Sequence, residues 1–184
     1  MSPSGGFGSW GHLAGRFFGA LSPAGPARAD EAWALEHLVE GEQGLWHRMS
    51  GPDRRHAVGV AKATMASLGA ATATRPVVAA ALLHDVGKIE PAIGTFGRVA
   101  VTLASVGFGR RRVLAWSARH ADRPRSWRAR AGQYLTHDEL GAKLLEAAGS
   151  DPLTVTWARE HHMPPGRWSL PHDVAGALKA ADGD

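Results

Sequence analysis

Seven apolar residues run without a break from Val77 to Leu83, and the next two are His84 and Asp85. The run belongs to a helix expected from Arg75 to about Lys88. A helix that is apolar on every side has to lie in a core. An imidazole and a carboxylate at its end are therefore costly, because an unpaired buried carboxylate is destabilising by several kcal/mol. Two remedies are open at this point. The pair can satisfy itself within a web of hydrogen bonds, or a divalent metal can supply the compensating charge. The dipeptide alone does not choose, since His137-Asp138 and His172-Asp173 repeat it elsewhere.

The rest of the chain reads as helical. Trp33, Leu35, Leu38, Val39, Leu45 and Trp46 mark a first helix, bent near Gly41 and Gly44. Ser50 can cap the next, with Pro52 in its first turn, Asp53 three residues after the cap and Gly69 as its stop. Further helices are expected over Ile93 to Val106, Arg111 to Arg119, His137 to Ala148, Asp151 to Met163 and Pro171 to about Ala181. Gly149 and the pair Pro164-Pro165 act as stops. No segment alternates with the period of a strand. The expectation is an all-α fold, a single compact bundle of about seven helices over residues 29–184. Residues 1–28, rich in Gly, Ser, Pro and Ala, form a flexible arm, and "WGHLAGRFFGAL" within it has the spacing of a short amphipathic helix.

Composition limits the chemistry. The chain of 184 residues has no cysteine, so disulfides and thiolate ligands are excluded, and any metal must be held by His, Asp or Glu. No apolar run approaches the ~18 residues of a membrane-spanning helix, and a cytoplasmic location is expected. The net charge of +4 suits an anionic substrate without calling for nucleic acid.

Candidate partners for His84 and Asp85 stand at the ends of other core-directed helices. His56 lies near the start of a helix whose opposite face carries Val58, Val60 and Met65. His137 opens "HDELGAKLLEAAG", His161 and His162 close "LTVTWAREHHM", and Asp182 ends "VAGALKAAD". Five helices that each offer a ligand type at one end point to a shared centre.

In that order these residues resemble the H…HD…D pattern of the HD-domain superfamily. "LLHDVGK" is similar to its HD-x-x-GK signature, and "THDELGAKLLEAAG", "AREHHMP" and "ALKAAD" are similar to its later stations, over roughly Asp53 to Asp182. The resemblance implies an all-α metal-dependent phosphohydrolase. His56, His84, Asp85 and Asp182 match the four residues that hold a first metal. His137, His161 and His162 match the extra histidines of two-metal members, in which the motif Asp bridges both ions, so Asp85 would be that bridge. Lys88, one turn after His84, would reach a phosphate as a point charge. The expected reaction is hydrolysis of a phosphate ester or anhydride in a small phosphorylated substrate of the nucleotide class, by metal-bound water or hydroxide. A nitrogen-rich ligand set favours one or two ions of Mn, Fe, Co, Ni or Zn over Mg.

Some subclasses do not fit. "EHHMPPGRW" lacks the Gly-Tyr-Pro of HD-GYP enzymes, "KIEPAIGTFGRVA" lacks the Glu-Asp pair of guanosine tetraphosphate hydrolases, and Pro52 stands where a third-metal Glu would be. Two rival readings remain: a non-catalytic regulatory or ligand-sensing module with a structural metal centre, and a metal-free scaffold. Residues Arg110 to Arg130 carry eight Arg against the one acid Asp122, with Trp116 and Trp127 among them. They read as a solvated Arg-rich helix and loop. The functional alternative is a lip for a polyphosphate, or a contact with nucleic acid or an anionic membrane.

Overall fold

A computed structural model describes residues 24–91, 93–120, 123 and 125–183. Among them there are ten α-helices and no strand. The helices are α1 (Arg28–Glu36), α2 (Glu40–Arg48), α3 (Gly51–Leu68), α4 (Arg75–Leu83), α5 (Thr95–Phe108), α6 (Arg110–Ala118), α7 (Trp127–Leu135), α8 (His137–Ala147), α9 (Pro152–Glu160) and α10 (His172–Asp182). Short 3-10 turns occupy Val86–Ile89 and Pro165–Arg167.

The all-α expectation holds, but the count of about seven was too low. The expected first helix is two, parted at residues 37–39 rather than at the glycines, and the Glu42 carboxylate accepts a hydrogen bond from the Val39 N–H to start α2. The buried helix ends at Leu83, five residues earlier than expected. Helix α7 was missed altogether, although Ser126 caps it by accepting from the Ala129 N–H. The expected caps at Ser50 and Gly69 are present. The arm expected over residues 1–28 lies outside the described residues up to position 23, and so does its amphipathic stretch.

Every residue of α4 from Val77 to Leu83 is buried, because α3 packs on one side of it and α9 on another. Trp46, Trp157, Leu145 and Leu178 complete this core. Burial of each Leu or Trp here contributes about 1.5–3 kcal/mol. Helix α10 packs along α3, and the 3-10 turn after α4 packs against α8. These crossings bring one end of each of α3, α4, α8, α9 and α10 together. A smaller cluster of Ile93, Val101 and Ala131 joins α5 to α7.

Candidate metal centre

The chain leaves α4 at His84, turns at Asp85 (φ −99°, ψ 8°) and enters the 3-10 turn. Gly87 sets how near α8 can come. A Cβ placed on it would lie 1.8 Å from the His137 carbonyl oxygen and 2.6 Å from the Gly141 nitrogen. Only a glycine lets these two backbones touch, and the touch carries His137 to Asp85.

All seven residues expected as ligands converge. His56, His84 and Asp182 form one group, and Asp85, His137, His161 and His162 form another, with the ligand atoms of each group within 4.8 Å of one another. Asp85 belongs to both: its Oδ2 is 3.4 Å from His84 Nε2, and its Oδ1 is 3.4 Å from His137 Nε2 and 3.7 Å from His161 Nε2. Asp182 Oδ1 lies 3.0 Å from His56 Nε2 and 3.5 Å from His84 Nε2.

Three of the imidazoles are held in the same way. Nδ1 of His84, His137 and His161 donates to the carbonyl three residues earlier, that of Ala81, Tyr134 and Ala158, at 2.7–2.9 Å. With the proton on Nδ1, each Nε2 turns a lone pair to the centre, the orientation typical of metal-ligating histidines. Nε2 of His84 and His161, Oδ1 of Asp85 and Oδ2 of Asp182 are buried without a hydrogen-bond partner. Orphaned buried groups of this kind are rare and costly. The nitrogens of His137 and His162 face each other at 3.2 Å, although Nδ1 of His137 is already committed.

Separations of 3.4–3.7 Å are long for a hydrogen bond. They match adjacent ligands on a shared ion, since bonds of about 2.1 Å put tetrahedral neighbours about 3.4 Å apart. The donor set fits, and both groups could hold a metal ion. Nitrogen-rich, cysteine-free sites of this kind suit borderline transition metals.

Electrostatics point the same way. Burial opposes protonation of His84, but the carboxylates of Asp85 and Asp182 outweigh it and raise its pKa to about 10. Burial favours the neutral form of Asp85, yet Lys88 and His84 hold the carboxyl well below its usual range. Asp182 is also depressed, against its burial, by His56 and His84. The centre is thus built around two carboxylates that stay charged and need positive charge nearby. Burial, with His161 and His137 close by, lowers His162 to about 3, so its imidazole is neutral.

Lys88 does not extend freely toward a ligand. Its ammonium pairs with Asp85 Oδ2, and this contact raises its pKa in spite of burial. Two neighbours were not anticipated. Tyr134 stacks on His137, with ring centroids 5.7 Å apart. Arg98 spans Asp53 at 2.8 and 3.0 Å, and Asp85 contributes to its raised pKa. The signal for Tyr134 was its place three residues before His137; Arg98 had none beyond being the only charge in an otherwise apolar helix.

The remaining described histidines lie outside the centre, and His12 falls outside the described residues. His37 donates to Trp33, His120 contacts Trp116 and Arg128, and His47 and His172 are exposed. No protein-family model, curated protein or solved structure matches this chain.

Proposed function

We propose that this chain is a metal-dependent phosphohydrolase of the HD-domain type, acting on a small phosphorylated substrate of the nucleotide class. The carrying observation is the double group of inward Nε2 and carboxylate atoms, buried without hydrogen-bond partners and joined through Asp85. Bound ions of Mn, Fe, Co, Ni or Zn would supply an acidified water and absorb charge on the phosphoryl oxygens. His56, His84 and Asp182 would hold one, and His137, His161 and His162 the other, with Asp85 shared. The backbone carbonyls of Ala81, Tyr134 and Ala158 fix three of the rings, so the ligands are placed before anything binds. Lys88 keeps a full positive charge beside Asp85, where it can meet a phosphate oxygen as that charge is drawn away.

Elemental analysis of the full chain, purified without chelator or His-tag, tests this together with a phosphate-ester screen in Mn or Co. About two transition-metal equivalents and metal-dependent turnover are expected, and His137→Ala should lower the content to about one. Metal without turnover would assign a regulatory module instead. No metal, even after loading, removes the proposal.

The pKa shifts give a second expected result. His84 is raised, so in the metal-free chain its contribution is complete below its ordinary value of 6.5 and fades as pH climbs toward about 10. Asp85 and Asp182 are lowered, so theirs is present above the ordinary 3.8 and fades in acid. The metal-free chain should therefore melt highest between those two values. Metal has to displace the His84 proton, so the rise in Tm on adding Mn should be larger near about pH 8 than near about pH 6. A rise that is equal or larger at the lower pH contradicts this arrangement of charges.

A further inference from the structure

Helices α5 and α6 carry a surface that the metal centre does not use. Helix α5 has one charged residue, Arg98, and that is turned inward to Asp53. Val99, Leu103 and Val106 recur at the spacing of one helical face. Leu103 is 65% exposed, Val106 81%, and Phe108 at the end of the helix 69%. An aliphatic stripe of this length along a helix is unusual on a free surface and marks an interaction site. Beyond Gly109 the chain continues directly as Arg110, Arg111 and Arg112. Phe108, Arg112, Trp116 and Trp127 line one cleft of about 430 Å³ between α5, α6 and α7, so apolar and basic groups share a face. Arg128 lies over the Trp116 ring, 5.0 Å from its centroid. Among the described residues no carboxylate pairs with Arg111, Arg112, Arg119 or Arg125.

We infer that this face docks on an anionic membrane surface, with α5 lying in the plane of the headgroups. The pattern is that of an interfacial helix: aliphatic side chains to enter the acyl boundary, guanidinium groups to meet lipid phosphates, and half-exposed Trp127 at the depth tryptophans favour. Nucleic acid fits less well, because Leu103 and Val106 offer no flat ring for a base to stack on. A second copy fits less well too, since a two-fold pairing would set Arg111 and Arg112 against themselves. No helix of the described residues is long and apolar enough to cross a membrane, so the contact is with the surface.

The test is co-sedimentation of the full chain with vesicles of phosphatidylcholine alone and of an equal mixture of phosphatidylcholine and phosphatidylglycerol. Binding is expected to the mixed vesicles only. Arg111→Ala with Arg112→Ala should weaken it about thirtyfold, and raised salt should weaken it further. Leu103→Ser with Val106→Ser should weaken it at least about tenfold. All four positions are exposed, and an unchanged melting curve shows that each variant is folded. No binding overturns the inference, as does equal binding to the neutral vesicles or indifference to the serine pair. So does a preference for a single-stranded oligonucleotide over the mixed vesicles. A dimer in sedimentation velocity that the serine pair dissolves would assign the face to self-association, and overturns it as well.

Discussion

Asp85→Asn is expected to lower metal-dependent phosphate-ester hydrolysis by about a thousandfold or more, and to empty both metal positions rather than one. The reason is geometric. One carboxylate oxygen looks to His84 and Lys88, and the other to His137 and His161. An amide keeps one acceptor but turns an N–H₂ donor on the other side, and it carries no charge for a divalent ion or for Lys88. The same change at Asp138, the acid of the neighbouring His-Asp pair, should leave turnover within about twofold. Its carboxylate accepts from the Glu139 N–H at the start of α8, where loss of a cap costs about 1 kcal/mol of stability and no chemistry. Elemental analysis and kcat on both variants, at matched Tm, separate the two cases. Undiminished metal in Asp85→Asn would show that the carboxylate is a hydrogen-bonding residue and the enzyme reading is wrong.

How much of this was legible follows from where the signals lie. His56, His84, Asp85, His137, His161, His162 and Asp182 could be picked from sequence because each stands at the end of a helix whose other positions are apolar. A costly polar group at such a place needs a reason. What the sequence could not give was the division into two groups, which depends on how α8 crosses the turn after α4. Nor did it show that Lys88 is held by Asp85, since a lysine one turn after a helix looks the same whether paired or free. The missed helix α7 has a plain cause. It buries only Ala129 and Ala131 through its middle, and its arginines hide the period that Val or Leu would have shown. Gly41 and Gly44 misled for the opposite reason. Both sit inside α2, and Gly41 is there because a Cβ would strike the Ala148 carbonyl at 2.2 Å. A glycine selected for close approach looks, in sequence, like one that breaks a helix.

Gly87 is the sharpest instance of that ambiguity, and it yields the largest expected change in stability. Its φ is not in the left-handed region, so the demand is for space and not for conformation. In Gly87→Ala the new methyl would meet the His137 carbonyl oxygen, the His137 carbonyl carbon and the Gly141 nitrogen, all at under 3.0 Å and all backbone. None can rotate away, so the 3-10 turn and α8 must part by more than ~1 Å. The variant is expected to lose about 3–4 kcal/mol, at the upper end for overpacking, which is a fall of roughly 10 °C in Tm. Gly176 is the control. It lies inside α10 with nothing within 4 Å of its would-be Cβ, so Gly176→Ala should raise stability by about 0.5–1 kcal/mol through helix propensity alone. The two alanines should thus move Tm in opposite directions. Parting α8 from the turn also draws His137 from Asp85, so Gly87→Ala should lose the second metal equivalent while it is still folded in the cold. If it melts like the parent and keeps that metal, the crossing of α8 over the turn is not as close as described. His137 would then reach the centre by some other route.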